Sequence, residues 1–460
     1  MLLTGSEPGV FHRAGLASGD YAEVRTERTR ILDMVWRGGD VESITLSRDE
    51  GRCARVVGAA GSSFASSTED SPAELVSLAK ANAAQIPVPA GALAPPRPGE
   101  SPGDALAGTD VVESVTVEEK AALLGGYYEA ALTAHQNVTG ALLYYREAVS
   151  DIDLVTSEGI ALTWRRRDLT LQLTVYASAG ADRAAGSVSV GSGGDFSVVR
   201  DLGERIHAAA ETAVDLVRAP VVETGDYDVV CDGPLAGIWA HETIGHLCEA
   251  DHRIGDAELQ RALRPGRELG SPLLTITDGP GLPGARGYVP VDDEGTAGRP
   301  VDLLRDGVVA SARLHDRATA GVFRDEPTGN ARSLGYRHPP LPRVRTVAIA
   351  AGESSDADLV GGIGHGLLAC GVLGGQTDRA GFTFLPAECR EIRDGQVGRL
   401  VRGVVLSGGV LDAFRAVDGV GRDQWRGDTS AGCGKQGQYP LAVSSWAPSV
   451  RLRGIHVRTG

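Results

Sequence analysis

His241, Glu242 and His246 form the densest group of potential metal ligands in this sequence. They lie in residues 235–251, LAGIWAHETIGHLCEAD. In the zinc-peptidase pattern H-E-x-x-H, two histidines four residues apart lie on one face of a helix. Here the pattern is H-E-x-x-x-H, and at 3.6 residues per turn the second ring is rotated by about 140° from the first. The two rings share a metal only if the helix ends or bulges near Gly245; otherwise they are two separate core or surface histidines.

A predicted strand and a sharply defined helix start position this motif. Residues 226–232, DYDVVCD, are typical of a strand. Gly233 and Pro234 end this strand and open a helix, because proline costs nothing at a first-turn position where its missing N–H would have no partner. The motif is therefore predicted to lie on a buried helix.

Two cysteines are candidates for a third ligand. Cys248 follows His246 by two residues and can equally be a core thiol of the motif helix. Cys433 lies between glycines on a predicted loop and is followed by Lys435, whose charge would favour the thiolate. Catalytic zinc often takes two ligands from one helix and one from far along the chain, so the sequence separation is no objection to Cys433. The residues alone leave the choice open.

Four further segments accompany the motif, and the ordered set resembles the TldD/PmbA family of metallopeptidases, in particular its TldD-type subunit. The segments are VDDEG at 291–295, PTGN at 327–330, GGQ at 374–376 and GCGKQGQ at 432–438. The resemblance covers most of the chain. It implies a zinc ion held by His241, His246 and Cys433, with Glu242 as the base. It also implies hydrolysis of amide bonds in unfolded or modified peptides, and a dimer with a TldD/PmbA-type partner subunit or with a second identical subunit.

Two other functions stay open. One is a non-catalytic subunit of such a complex, although the family's non-catalytic subunits lack the H-E-x-x-x-H that is intact here. The other is a pathway-specific zinc hydrolase, or an amide-processing enzyme, that acts on one small peptide-like metabolite with the same metal. A panel of peptides combined with a metal assay separates the three.

The acidic run Asp292, Asp293 and Glu294 has two alternative roles. These carboxylates can orient the ligand histidines through the second ring nitrogen, as carboxylates around metal sites commonly do, or they can cap a turn. The remaining candidate histidines are expected to be surface residues or neighbours of the ligands rather than ligands: His252, His315, His338 and His365.

Composition narrows the class of protein. The net charge of −15 over 460 residues argues against nucleic acid or an anionic membrane as the main partner. The start of the chain lacks the basic and apolar regions of a secretory signal, and no run of about 18 apolar residues is present. The six cysteines show neither a disulfide framework nor CxxC spacing, so a cytoplasmic location is expected.

The predicted fold class is α+β, with two domains. The first, residues 1–220, contains a largely antiparallel sheet, because strand patterns follow one another over 21–67 with a turn at 49–51, and again over 141–149, 151–157 and 160–177. Helices are predicted over 71–85, 116–134 and 196–218, and 86–104 is predicted to be an extended linker.

The second predicted domain, residues 221–460, is β-rich and carries the motif helix. Two hairpins are predicted to turn at Asp306-Gly307 and at Asp394-Gly395, since Asp-Gly suits a two-residue hairpin loop. The long loop over 325–345, rich in proline and arginine, is typical of a segment that lines a site or an interface.

Overall fold

A six-stranded antiparallel sheet with helices packed on it forms the N-terminal half of the computed structural model. The structure describes residues 9–58, 61–85, 93–103, 106, 110–311, 313–377 and 380–460. The strands are β1 Tyr21–Arg37, β2 Asp40–Gly58, β3 Gly61–Ser67, β4 Val138–Thr156, β5 Ala161–Ala179 and β6 Asp182–Ser192, in the order β3-β2-β1-β4-β5-β6. The helices are α1 Gly9–Arg13, α2 Pro72–Gln85, α3 Val117–Thr133 and α4 Gly203–Arg218.

The strands of this sheet are longer and fewer than predicted. The predicted turn at residues 49–51 lies inside β2, where Gly51 pairs with Glu27 of β1. A Cβ on Gly51 would lie 2.1 Å from the ring of Tyr336, so this glycine permits a close approach of a side chain rather than a turn. Segments 141–149 and 151–157 likewise form one strand, β4, and the predicted strand at 160–177 corresponds to the continuous strand β5.

Two smaller differences concern the end of this half. The strand β6 was not predicted; it pairs along its whole length with β5. The helix predicted over 196–218 begins at Gly203, after a short 3₁₀ turn at Phe196–Val199. Leu32, Leu124, Leu171 and Ile206 belong to the core that the sheet shares with α3 and α4.

Two large sheets, two two-stranded sheets and a few short helices form the described C-terminal half, which confirms the α+β class with a β-rich second part. The strands are β7 Gly225–Cys231, β8 Ile276–Gly279, β9 Val301–Arg305, β10 Val308–Val309, β11 Ala331–Arg332, β12 Leu341–Pro342, β13 Thr346–Ile349, β14 His365–Cys370, β15 Gly374–Thr377, β16 Gly381–Leu385, β17 Glu388–Arg393, β18 Gln396–Val401, β19 Val404–Gly409, β20 Val417–Val420, β21 Cys433–Lys435, β22 Gln438–Leu441, β23 Ser444–Trp446 and β24 Val450–Thr459. The helices are α5 Gly233–Ala240, α6 Ala257–Ala262, α7 Arg317–Phe323, α8 Asp356–Gly361 and α9 Val410–Ala416. Helices α6 to α9 were not predicted.

Both predicted hairpin turns are present. They join β9 to β10 and β17 to β18, and both central residues of each turn have positive φ: 51° and 75° at Asp306 and Gly307, 48° and 74° at Asp394 and Gly395. This is the backbone that a two-residue loop needs to match the twist of its strands. The nine-stranded sheet runs β15-β16-β19-β24-β7-β14-β17-β18, with β20 paired to β24, and the five-stranded sheet runs β10-β9-β8-β13-β23.

The motif helix α5 lies between these two sheets. It contacts β7 and β14 of the nine-stranded sheet and β13 and β23 of the five-stranded sheet. Leu235, Trp239 and Ile244 are buried in the core that all these elements share. A helix clamped on both sides has little freedom to shift, so it holds the side chains at its end in fixed positions.

Part of the predicted linker packs against the C-terminal half. Residues 86–92 and 104 lie outside the described residues. Within 93–103, the backbone N–H of Gly99 donates to the carbonyl of Gly295 (3.0 Å), and the carbonyl of Arg97 accepts from Ala297 (2.9 Å). The described segment therefore ties the two halves together. No helix of the described chain is long and apolar enough to cross a membrane.

Candidate metal centre

A capped helix start fixes the motif in place. Asp232 accepts the backbone N–H of Leu235 with one carboxylate oxygen (3.0 Å) and that of Gly371 with the other (2.9 Å). Pro234 occupies the first turn, as predicted. The cap therefore joins the start of α5 to the end of β14, and burial raises the pKa of Asp232 to about 6.

A π-helical turn at His241–Gly245 follows α5 and accounts for the spacing of the two histidines. The backbone N–H of His246 donates to the carbonyl of His241, five residues earlier. This wider turn places residues i and i+5 on the same face, unlike a regular helix. The two imidazole rings lie 4.9 Å apart between centroids and nearly perpendicular, at 88°. Of the alternatives weighed from sequence, the structure thus shows a bulge at Gly245.

Cys433 reaches the two histidines from the far end of the chain. It begins β21, which pairs with β22, and its Sγ lies 3.4 Å from Nε2 of His246. One ligand atom from each of His241, His246 and Cys433 lies within 4.8 Å of the others. Cys248 is fully buried but is not in this group, and burial raises the pKa of its thiol to about 12. The structure therefore brings together three of the predicted ligands and leaves the rival cysteine apart.

The histidines set the charge of Cys433. Burial alone would raise the pKa of this thiol, but His241 and His246 hold it well below its usual value. The sequence attributed this effect to Lys435. Its ammonium instead donates to Glu249 (2.9 Å), Asp251 (2.7 Å) and the carbonyl of Pro342 (2.8 Å). Lys435 therefore balances carboxylates, and the ligand rings favour the thiolate.

Glu249 is a site residue that the sequence analysis missed. One of its oxygens lies 3.1 Å from Nδ1 of His246 and the other accepts the backbone N–H of Val344 (3.2 Å). Although Glu249 is fully buried, which by itself raises its pKa, His246 and Lys435 hold the pKa well below the usual value. The carboxylate contacts Nδ1 of His246, and Nε2 of the same ring faces the sulfur of Cys433. The available signal was the i, i+3 spacing of His246 and Glu249.

The predicted base, Glu242, lies between the two histidines on the π-helical turn. Its side chain is half-buried, and among the described residues its carboxylate makes no hydrogen bond or ion pair. An unpaired carboxylate on the turn that carries the first histidine is free to take a proton from a water molecule or a substrate.

The donor set fits a zinc ion. Two imidazoles and one thiolate are ligands that zinc prefers in catalytic sites that keep one position open. Nδ1 of His241 is buried without a hydrogen-bond partner in the described chain, as expected where its ring is to be oriented by a metal. Around the ligands, the carboxylates of Glu249 and Asp251 share one ammonium, Lys435, so the negative charge of these groups and of the Cys433 thiolate is only partly balanced by it, and a divalent cation would add to that balance.

The acidic run does not orient the histidines. Asp292 accepts the backbone N–H groups of Glu294, Thr296 and Ala331, which corresponds to the turn-capping alternative. Asp293 and Glu294 instead bind arginines of the N-terminal sheet: Asp293 pairs with Arg166 (2.5 Å) and Arg25 (3.5 Å), and Glu294 with Arg55. These carboxylates join the two halves of the chain.

The other candidate histidines also have definite places. His252 lies 3.4 Å from Glu249 and thus shares the carboxylate that binds His246. His315 contacts Thr319 and Asp325, both at 3.1 Å, and burial lowers its pKa to about 4. His365 packs on the ring of Tyr227. None belongs to the group of ligand atoms found among the described residues.

The GGQ segment forms an edge strand beside the centre. Strand β15 is the last strand of the nine-stranded sheet and contacts the π-helical turn. Gly375 and Gln376 are exposed. A Cβ on Gly375 would lie 2.2 Å from the ring of Phe384, so glycine is required for this packing. The free edge of β15 thus lies next to the predicted ligands.

Comparisons with known proteins agree on one family. Models of the PmbA/TldA metallopeptidases match as domain 1 over residues 22–84, as the central domain over 110–219 and as the C-terminal domain over 224–459. A metalloprotease of Synechocystis sp. is 33% identical over 443 residues, 96% of this chain and 95% of the relative. A zinc metalloprotease TldD homolog of Saccharolobus solfataricus is 28% identical over 261 residues, 56% of this chain and 57% of the relative. A crystal structure from Thermotoga maritima, described as a modulator of a DNA gyrase, shares the fold with a TM-score of 0.79 at 19% identity, covering 98% of both chains.

Proposed function

The chain belongs to the PmbA/TldD family of metallopeptidases, and we propose that this metalloprotease uses zinc to hydrolyse amide bonds in unfolded or modified peptides. One observation carries the proposal. The π-helical turn and strand β21 bring ligand atoms of His241, His246 and Cys433 within 4.8 Å of one another, and the turn also carries Glu242, whose carboxylate is unpaired in the described chain.

His241, His246 and Cys433 would hold the metal. Glu249 fixes the ring of His246 through Nδ1, and Lys435 donates to the same carboxylate oxygen, Oε2 of Glu249. Carboxylates that bind the second nitrogen of a ligand histidine set its orientation and raise its affinity for metal. A zinc ion bound there would polarise the carbonyl of the substrate and acidify water.

Glu242 would act as the general base. As the free carboxylate of the site, it can accept a proton from water and later donate it to the departing amine. The proton transfer needs a carboxylate without a strong partner, because an ion pair would lower its basicity. In the described chain, Glu242 has no such partner.

The free edge of β15 would bind the substrate backbone. A peptide that adds to a sheet edge is held by main-chain hydrogen bonds, so many sequences are accepted. Gly375 and Gln376 present such an edge next to the π-helical turn. This supports an extended, unfolded peptide as substrate.

We also propose that the working form is a dimer, with a related subunit of the family or with a second identical chain. Strand β3 pairs with β2 only along Arg52–Gly58, so residues 40–51 have β1 as their only partner strand in the described sheet. Val41, Ile44 and Leu46 are exposed there. An unpaired strand edge with exposed apolar side chains can pair with another chain.

The substitution Glu242→Gln tests the peptidase function. It should keep the zinc, because Glu242 is not assigned as a ligand, and slow hydrolysis by a factor on the order of 10²–10⁴, as loss of a general base does. Zinc content is measured by elemental analysis and hydrolysis with a panel of unstructured peptides. Removing the zinc from the parent protein with a chelator should abolish hydrolysis, and adding zinc back should restore it.

The control is Glu391→Gln, an ion-paired residue of β17 outside the centre, which should retain both metal and activity. A metal-free Glu242→Gln protein, or one that cleaves peptides at the parent's rate, would contradict the assigned role. A parent protein that binds zinc but cleaves no peptide would contradict the proposed function itself.

A further inference from the structure

A cavity of about 320 Å³ lies between the two halves of the chain. Strand β5 contributes one wall, with Trp164 and Arg166, and the C-terminal half contributes the other, with Tyr288 and Arg332. Three further arginines line it: Arg165, Arg167 and Arg286. Asp151 is the only acidic residue among the described lining residues, so the cavity is predominantly basic.

Arg332 differs from the other arginines of this cavity because it has no acidic partner among the described residues. Its two terminal nitrogens donate to the carbonyls of Val344 (2.8 Å) and Ala442 (2.6 Å). Each of the other four is bound to a carboxylate, in the pairs Arg165–Asp151, Arg166–Asp293, Arg167–Glu113 and Arg286–Asp168.

Arg332 therefore forms no direct ion pair in the described chain, although the residue is only 3% exposed. Burial, with the nearby charges of Arg166 and Arg343, lowers its pKa to about 9 and outweighs the opposite effect of Asp293 and Cys433. A buried cation without a directly bound counter-charge is unfavourable, and a carboxylate from a ligand would supply one. Guanidinium groups suit carboxylates in particular, because their planar fork matches the two oxygens.

The cavity lies close to the metal centre. Ala442, which Arg332 binds, directly follows Leu441, the residue paired with Cys433 across β21 and β22. A cross-strand neighbour is about 5 Å away and one further residue adds about 3.3 Å, so Arg332 lies on the order of 10 Å from Cys433. An extended peptide covers this distance in about three residues.

We propose that this cavity is a subsite for a carboxylate of the peptide substrate, either an acidic side chain or the terminal carboxylate, two or three residues from the bond that is cleaved. The proposal rests on the peptidase function above and adds the substrate class. Trp164 and Tyr288 provide apolar surface for the carbon chain that carries the carboxylate.

Binding to the Glu242→Gln protein loaded with zinc tests the subsite separately from hydrolysis. The probes are unstructured eight-residue peptides with a single Glu at successive positions, their Gln counterparts, and one sequence as the free acid and as the C-terminal amide. One member of the set should bind about tenfold or more tightly as the carboxylate than as the neutral form, as a charge-assisted hydrogen bond predicts. The position of that member distinguishes a side chain from the terminus.

Substitutions at Arg332 connect the preference to the cavity. Arg332→Met should remove the difference between the acidic and neutral peptides, and Arg332→Lys should retain part of it. Arg399→Gln, on the exposed strand β18, changes the net charge equally and should retain all of it. Equal binding of both peptide forms, or an unchanged preference in a folded Arg332→Met protein, would overturn the subsite. Absence of hydrolysis of all these peptides by the parent protein would instead contradict the peptidase function.

Discussion

At the scale of single residues, the centre combines ligands with groups that determine their charge. The thiolate of Cys433 is favoured by the two histidines, and His246 is in turn held by the buried carboxylate of Glu249. In the protein alone, Glu249 and Cys433 raise the pKa of His246 well above its usual value, against the effect of burial. A metal ion held by His246 would take the place of that proton, so metal binding and protonation would compete at this ring.

Serine substitutions of the two cysteines test which one binds the metal. Cys433→Ser replaces a soft thiolate by a hydroxyl that stays protonated near neutral pH and binds zinc weakly, so zinc content and hydrolysis should both fall sharply. Cys248→Ser should keep the zinc, although a buried hydroxyl without a partner costs about 1–3 kcal/mol of stability. Elemental analysis and thermal unfolding of the two proteins provide the measurements. Zinc retained by Cys433→Ser and lost from Cys248→Ser would overturn the assigned centre.

Sequence reasoning named the candidate ligands that the fold brings together, but not the residues around them. The ligand types and the family pattern pointed to His241, His246 and Cys433, because ligand identity is visible in sequence. Glu249 was missed and the acidic run at 292–294 was considered in its place, since the orientation of a histidine depends on which carboxylate the fold brings to it. That contact also depends on Lys435, which lies 186 residues later.

At the scale of elements, the π-helical turn brings the rings of two histidines five residues apart close together. The π-helical turn lacks the regular hydrogen-bond geometry of an α-helix. Packing on both sides of the helix stabilises this turn. Gly237 packs against the backbone of β23, and Gly245 packs against Val344 and Val347. The sequence predicted a bulge or an end near Gly245, but the choice between them depends on the neighbouring strands, which the local pattern does not reveal.

The long strands of the N-terminal sheet also depend on tertiary contacts that the local sequence pattern does not reveal. The segment around Gly51 has the composition of a turn, yet it continues β2, because pairing with β1 and the ring of Tyr336 hold it extended. Tertiary contacts outweigh the local preference of Asp, Glu and Gly here. The two Asp-Gly hairpins, by contrast, were predicted correctly, since their geometry depends on the two turn residues themselves.

Alanine substitutions of Gly237 and Gly245 test how tightly the neighbouring strands pack against α5 and the π-helical turn. In Gly237→Ala, the new Cβ would lie 2.4 Å from the carbonyl oxygen of Ser445, and backbone must move to relieve it. We expect a loss of about 1–3 kcal/mol in the free energy of unfolding, with reduced zinc content. In Gly245→Ala, the contacts are 3.2 and 3.3 Å to side-chain methyl groups of Val344 and Val347. These can shift, so the change should be within about 1 kcal/mol, because alanine also favours the helix.

Chemical denaturation and elemental analysis of both proteins provide the comparison. Equal stability of the two variants would show that β23 moves freely relative to α5. That outcome would contradict the rigid placement of the ligand histidines.

At the scale of the whole molecule, ion pairs join the N-terminal sheet to the C-terminal half. Arg286 binds Asp168 through two hydrogen bonds (2.6 and 3.0 Å), and Arg317 binds Glu158 (2.9 Å). Together with the arginines on Asp293 and Glu294, these pairs hold the two halves against each other. Arg166 and Arg286 also line the basic cavity, so the proposed subsite needs both halves, whereas the candidate metal ligands all lie in the C-terminal half.

The exposed part of β2 is the surface that we propose for a second subunit. Leu46 is 67% exposed there, on a strand edge without a partner in the described sheet. Two such edges can pair antiparallel about a two-fold axis, or one can pair with the equivalent strand of a related subunit. In that dimer Leu46 would be covered, and a charge at its position would have to be buried at high cost.

Leu46→Lys should therefore convert the proposed dimer to monomer. It should neither unfold the chain nor release zinc, because the side chain of residue 46 is largely exposed in the single chain. The matched control is Val397→Lys on β18, an edge strand of the nine-stranded sheet, where the valine is 45% exposed. Light scattering after size-exclusion chromatography gives the mass of each protein, and peptide hydrolysis shows whether activity needs the dimer. A dimer that persists in Leu46→Lys but is lost in Val397→Lys would assign the interface to the other sheet. A parent protein that is a fully active monomer would overturn the dimer altogether, and the free edge of β2 would then need no partner for function.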